Sequence, residues 1–498
     1  MTGGSRFPGA LPRLALSAFL GLLAVRCHAA SEPPASFPIL GVDPLVKGTQ
    51  LEYHQDALSH WLGLSFAKMV LLHVDAKSGM STLEPEKLSM LKGFAGRRDV
   101  GGLTRVGHEG LDSLFNDGNF VRAAVELGMV REVVWVMPAA VPDGENADGL
   151  IADFLGRAGV SSLDSATFRP GGGCYRGRIA GVPVSLCGQE RLPAIQGPVL
   201  LSIDAGYFLA AAAWRGIDPL SEIRALFRSL RAARYAVADA VMAFSILDGE
   251  LPPDLRWLGE AAVQMLQDPV VAQGDAPPER WRALQKLSTL GRSEQQEQMQ
   301  MLGYALAQLE TNPHDPAFLL YAAAASDRHG GGERALAYAE EACRMDRGYC
   351  VGLRWAGLRF LERGDVETGL RFIVAGEKLL PGMTYGQLDI GIALMKVGRA
   401  TEALEALEKL RARDGAFPSD LLAGLVHLHR GDRDAARLAF DRALTAVDQS
   451  PGIHVEREEI ARAIEIAAGY YREEGLLRQA ERLEGNPRLR LPAPQTGP

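Results

Sequence analysis

The chain has 498 residues, a length that suggests roughly two to four domains. It is 47% hydrophobic and 23% charged, ordinary globular usage that excludes a disordered polymer or a fibrous repeat. The net charge of -8, from 61 acidic and 53 basic residues, lacks the basic excess of a general nucleic-acid binder. Five Cys stand at positions 27, 174, 187, 343 and 350.

The first thirty residues read as a secretory signal. Arg6 and Arg13 precede an apolar core over 14–25, and Cys27, His28, Ala29 and Ala30 lead into the polar Ser31 and Glu32. Twelve residues rise only about 18 Å as a helix, too short for a bilayer core of about 30 Å. The signal predicts export, periplasmic or secreted, with cleavage near Ala29 or Ala30. A lipoprotein signal using Cys27 is the alternative, but Arg26 stands where such signals carry a small residue. No later stretch is long and apolar enough to cross a membrane, so no integral segment is expected after cleavage.

Residues 36–267 alternate apolar strands with helical patterns, which predicts a three-layer α/β domain with a mostly parallel sheet. Strands are expected at 69–74, ending at Asp75; at 132–137; at 199–203, ending at Asp204; and at 240–245. Carboxylates at such strand ends are where these folds place chemistry. Asp248 and Glu250 follow the last strand, where a solvated loop competes with a substrate-contacting role.

Removing Cys27 leaves four cysteines in an oxidising compartment, a disulfide prospect. Cys174 and Cys187 bracket an alternating hairpin. If Ala180 and Gly181 form its turn, paired positions sum to 361 and the two cysteines lie opposite each other. Pro183 would then need the unpaired side of an edge strand. Two free thiols are the alternative. Cys343 and Cys350 lie seven apart across a helix-to-helix turn, a second candidate pair. Gly171, Gly172 and Gly173 precede a strand rather than a helix, so they are not a phosphate loop.

Residues 268–280, rich in Pro and acid, read as a linker, and the Pro-rich 486–498 as a disordered tail. Between them, 281–485 shows an internal period. Gly330, Gly364, Gly398 and Gly431 are 34, 34 and 33 residues apart, and Ala335, Gly369, Ala403 and Ala436 each follow by five. Each unit reads as two amphipathic helices around a tight turn, with Pro381 and Pro418 near unit boundaries. This segment resembles a tetratricopeptide-repeat array: four good units, with two weaker ones at its ends. The resemblance implies an all-α solenoid whose concave face binds a protein or peptide. A packing or dimerisation module without a separate ligand is the other reading.

Three pieces of the N-terminal domain together resemble the arginase-like hydrolases, nearest a branch that includes enzymes converting peptidyl arginine to ornithine. They are Glu52-Tyr-His54, then His73-Val-Asp75-Ala-Lys77-Ser-Gly79, then Ser202-Ile-Asp204-Ala-Gly206. Asn119-Phe120 and the run 132–138 also match that branch. The family's second piece reads His-x-Asp-x-His-x-Asp and its third Ser-Ile-Asp-x-Asp; these hold two divalent metals that polarise a water. Here His54, Asp75 and Asp204 match ligand positions, while Lys77 stands for a His and Gly79 and Gly206 each stand for an Asp. His73 opens the motif and reads as structural. His60 and His108 have no partner at ligand spacing.

Gly79 and Gly206 offer no side-chain oxygen, and a protonated Lys77 repels a metal. Three ligands are too few for two ions, so no catalytic residue, metal or other cofactor is expected. A lone Zn²⁺ on His54, Asp75 and Asp204, or Mn²⁺, remains the alternative. Two accounts of Lys77 stay open. In one its charge replaces the metal and compensates Asp75 and Asp204. In the other it points to solvent over a decayed site. The reading is a non-catalytic, exported interaction protein; the rival is a metal-dependent hydrolase acting on arginine-bearing or amide substrates.

Overall fold

The computed structural model describes residues 37–498 except 46–47, 109–112, 143–145, 248–250, 293–294, 329–330, 381–385, 415–416, 450–456, 487–488 and 490–498. The expected signal with Cys27, the acidic pair Asp248 and Glu250, Gly330 and Pro381 therefore lie outside the described residues.

Non-alternating apolar runs make strands that are buried on both faces, and the sheet is built around them. Among the described residues it has eight strands: β1 (Thr49–Leu51), β2 (Met69–Val74), β3 (Val130–Met137), β4 (Arg169–Gly171), β5 (Cys174–Ile179), β6 (Val182–Gly188), β7 (Val199–Asp204) and β8 (Val237–Ala243). Their order is β1-β8-β7-β2-β3-β6-β5-β4. Pairing is parallel from β1 to β6, and β5 runs antiparallel to β6 and β4. The short β1 and β4, three residues each, had no sequence signal.

Alternate sheet residues face two different cores. Leu71, Val133, Trp135 and Leu200 pack with α1 (Asp56–Leu64), α2 (Pro85–Arg97), α3 (Val100–His108), α4 (Phe120–Glu126) and α5 (Ala147–Arg157), through Trp61, Leu91, Leu103, Phe120 and Ile151. The short α6 (Ser162–Ser165) follows at the edge. Val70, Leu72, Val134, Leu201 and Ile203 pack with α7 (Gly206–Arg215), α8 (Pro219–Ala233) and α9 (Arg256–Gln267). α8 starts where it does because Asp218 accepts from the Ser221 amide and Pro219 presets the first turn.

The hairpin has the expected register: Ile179 pairs with Val182, and Cys174 lies opposite Cys187. Ala180 and Gly181 carry φ of 51° and 79°, the left-handed pair that a tight hairpin turn requires. The cysteines form a disulfide, with Cα atoms 4.4 Å apart. One expectation is corrected. β6 is not an edge strand, since it lies between β3 and β5. Pro183 is tolerated because the β3 ladder begins only at Val184, so no amide is needed there.

The remaining helices form hairpins: α10 (Glu279–Arg292) with α11 (Gln295–Thr311), α12 (Pro316–Arg328) with α13 (Gly332–Met345), α14 (Val351–Glu362) with α15 (Val366–Leu379), α16 (Gly386–Lys396) with α17 (Ala400–Asp414), α18 (Phe417–His429) with α19 (Arg433–Gln449), and α20 (Glu458–Glu473) with α21 (Leu477–Glu484). The turn glycines Gly364, Gly398 and Gly431 have φ of 84°, 74° and 78°, which side chains resist. The small residues after them are where the two helices of a hairpin approach. A Cβ on Gly369 would lie 2.8 Å from the Gly357 carbonyl. Cys343 and Cys350 form a second disulfide across the α13–α14 turn.

Residues 268–280, read as a linker, lie against the fold. Ala272 is buried, Val271 packs beside it, and α10 begins at Glu279. The core of the second sheet face continues through Trp281, Leu284, Met301, Phe318 and Tyr349 into the first hairpins. A Trp281→Ala change in such a core costs about 3–5 kcal/mol. Polar pairs close the same junction: Arg280 binds Asp315 at 2.5 Å and Glu260 at 2.9 Å, and the Tyr349 hydroxyl donates to Glu260 at 2.6 Å.

Candidate functional site: a buried histidine and carboxylate network

The C-terminal ends of β1, β8, β7 and β2 are neighbours, so residues far apart in sequence meet there. β1 delivers His54, β2 delivers His73 and Asp75, β7 delivers Ser202 and Asp204, and β8 delivers Ser245. His54 is the hub. Its Nδ1 lies 2.9 Å from Asp75 Oδ2 and 3.4 Å from Asp204 Oδ2, and its Nε2 is 2.6 Å from Ser202 Oγ. The Phe120 ring covers it, with centroids 4.7 Å apart.

Both carboxylates are also held by local donors. Asp75 Oδ1 accepts the Lys77 amide at 2.9 Å, and the Asp75 carbonyl accepts the Trp135 indole N–H at 2.8 Å. Asp204 Oδ1 accepts the Gly206 amide at 2.6 Å, while the Ser245 hydroxyl donates to its Oδ2. Burial alone would raise the Asp75 pKa, but the hydrogen bond and charge of His54, then His73 and the Lys77 amide, outweigh it and hold it low. Burial pushes His73 the other way from charge, down to about 4, so its imidazole is neutral.

The structure brings His54, Asp75 and Asp204 together as the motif resemblance implies. The replaced positions depart from it in different ways. The Lys77 ammonium, about two-fifths exposed, pairs with Asp117 at 2.5 Å, and the imidazole that sits between Asp75 and Asp204 is His54. Gly79 has φ of 60°, and a Cβ there would lie 2.6 Å from Val121 Cγ2 and 3.2 Å from Phe120 Cε1, so the Val121 and Phe120 side chains occupy the space where a side chain would begin. His60 has a distant partner after all, Asp239 at 3.0 Å. The side chain of His108 is outside the described residues.

Sequence reading gave no role to three members. Ser202 opens the third motif piece and, two residues before Asp204 on β7, shares its face, a signal that was available. Ser245 and Asp117 come from separate elements and had none. His73, read as structural, has Nε2 3.1 Å from the Lys77 carbonyl and 3.6 Å from Asp75 Oδ2. One ligand atom each from His54, His73 and Asp75 falls within 4.8 Å of the others, a set that could receive one ion. Gly79 and Gly206 supply no side-chain oxygen to such a set. Ser202, His54 and Asp75 are connected like a nucleophile, base and orienting acid. Ser202 has no exposed surface.

No family model and no curated protein matches the sequence. Solved structures that it is similar to include MamA, at 16% identity over 34% of this chain and 95% of that one, with a TM-score of 0.25. YrrB, described as a TPR protein with an unusual peptide-binding site, aligns at 18% identity over 37% of this chain and 94% of that one, with a TM-score of 0.25. The Cut9–Hcn1 hetero-tetramer aligns at 16% identity over 57% and 53%, with a TM-score of 0.25. Likeness at that level says nothing about ligands here. The helical array is described from its own hairpins and period. Among the described residues no helix is long and apolar enough to cross a membrane.

Proposed function

We propose that this is an exported, non-catalytic interaction protein. In this reading a degenerate arginase-like domain, without its metal pair, carries a tetratricopeptide-type array that binds a protein or peptide. The observation that carries it is the state of position 79. Glycine removes the side-chain ligand, and a side chain restored there would need a strained φ of 60° and displacement of the Val121 methyl. The imidazole of His54 between Asp75 and Asp204 supports the same view, since a donor lies where two carboxylates converge. Export is supported by the signal-like leader and by the two disulfides.

Two assays test it. Purified protein given Mn²⁺ or Zn²⁺ with agmatine or arginine-containing peptides should release no urea or ornithine. Immobilised protein should retain a specific partner from an extracytoplasmic extract, and Val374→Glu with Leu438→Glu, at exposed array positions, should release it. Turnover, or retention indifferent to the array, would defeat the proposal.

The cluster of His54, His73 and Asp75 favours a second reading, a single-ion hydrolase of arginine-bearing or amide substrates. There a resident Zn²⁺ or Mn²⁺ would act as a Lewis acid, with these three residues holding it. Metal content separates the two.

A further inference from the structure

We infer that the cleft beside the α12–α13 turn binds an oxyanion of the phosphate class, either free phosphate or a phosphate monoester. The cleft has a volume of about 640 Å³ and lies between the second and third hairpins. The inference is independent of whether the α/β domain is catalytic.

The floor is the N-terminus of α13, a helix of 14 residues. Its first ladder bond runs from the Ala335 amide to the Gly331 carbonyl at 2.9 Å, so the amides of Gly332, Glu333 and Arg334 precede the ladder. Gly331 occupies the capping position, and no side chain caps the helix among the described residues. Such an end carries partial positive charge and exposed donors, the arrangement that receives phosphate.

Ser326 supplies the second observation. It borders the cleft and is only 2% exposed, and among the described residues its hydroxyl has no hydrogen-bond partner. Its carbonyl accepts the Gly331 amide at 2.9 Å, which fixes the residue against the turn. A buried hydroxyl left unpaired costs about 1–3 kcal/mol. An anion in the cleft would accept that proton.

Charge agrees with this. Arg334 lies in the first turn of α13, where a cation opposes the helix dipole unless an anion is nearby. Arg371, from α15 of the next hairpin, also lines the cleft and is held bidentately by Glu333 at 2.5 and 2.8 Å. Glu333 offsets one guanidinium and is 79% exposed at the rim. Arg334 and the helix end remain as net positive charge. Amides, a hydroxyl and a guanidinium suit a tetrahedral dianion with several acceptors better than a single carboxylate.

Isothermal titration of the whole protein with inorganic phosphate, and separately with phenyl phosphate, tests the site. Saturable binding is expected in wild type. Ser326→Ala should weaken it about tenfold or more while raising the melting temperature, since the unpaired hydroxyl is gone, and Arg334→Gln should weaken it as much with the melting temperature within about a degree of wild type. Gly331→Asp places a carboxylate at the cap, and should abolish binding while leaving the far-ultraviolet circular dichroism of wild type. Tighter phenyl phosphate binding would identify an ester as the ligand, and equal or tighter inorganic phosphate the free anion. No saturable binding of either, or equal binding in Arg334→Gln and Gly331→Asp, would overturn the inference.

Discussion

Arg256 and Gly348 occupy adjoining space across the junction of the sheet and the helical array. A Cβ on Gly348 would lie 1.9 Å from the Arg256 guanidinium carbon. The guanidinium is 5% exposed and binds Glu52 bidentately at 2.9 and 2.8 Å. It lies 4.0 Å over the Phe244 ring and 3.6 Å from Asp346. Glu52 is two residues from His54, so one buried cation joins the loop of the second disulfide to the strand that carries the network's hub.

That contact makes a double-mutant cycle informative. Gly348→Ala should lower stability by about 1–3 kcal/mol through overpacking. Arg256→Ala should cost about 2–3 kcal/mol, through lost packing against Phe244 and the lost pair with the partly exposed Glu52. The double variant should cost clearly less than the sum, because the added methyl enters the space the guanidinium leaves. Urea unfolding monitored by circular dichroism measures all three, and additivity would refute the contact.

The disulfides span separations of 13 and 7 residues. Loops of that size are worth about 2–3 kcal/mol each in the chain-entropy account. Cys174→Ala with Cys187→Ala, and Cys343→Ala with Cys350→Ala, should each lower the melting temperature. A reductant should add little further loss to a variant lacking both bridges. Thiol titration of denatured, exported protein should find none of these four cysteines free.

Glu222 gives a pH dependence. It has no exposed surface, and its Oε1 lies 3.4 Å from Arg215 Nε. Burial raises its pKa more than Arg215 lowers it, and the charge of Glu190 adds to the rise. A raised folded value means that the folded state holds the proton more tightly. Its contribution is thus full below the unfolded carboxylate pKa and is lost as pH rises through the folded one. Glu222→Gln should raise the neutral-pH melting temperature, with the gain vanishing near pH 4. An equal gain at both pH values would exclude Glu222 as its source.

Much of this architecture was legible in local patterns. Apolar runs located β2, β3 and β7, the paired positions placed Cys174 against Cys187, and the glycine period marked the hairpins. Compositional reading failed where a segment's role depends on what it meets. The Pro- and acid-rich 268–280 looks like a spacer, yet Ala272 and Arg280 anchor it to the fold. In the network, residue types at 54, 75 and 204 pointed to one place. The partner of Lys77 did not follow, because Asp117 is 40 residues away on another loop. The crowding at Gly79 comes from the Val121 side chain, a contact no one-dimensional spacing contains.

Metal content tests the central claim most directly. The purified protein, incubated with Zn²⁺ and Mn²⁺ and then desalted, should carry well under one ion per chain, unchanged by Asp75→Ala. A stoichiometric ion that Asp75→Ala removes would contradict the account and establish His54, His73 and Asp75 as a working metal site.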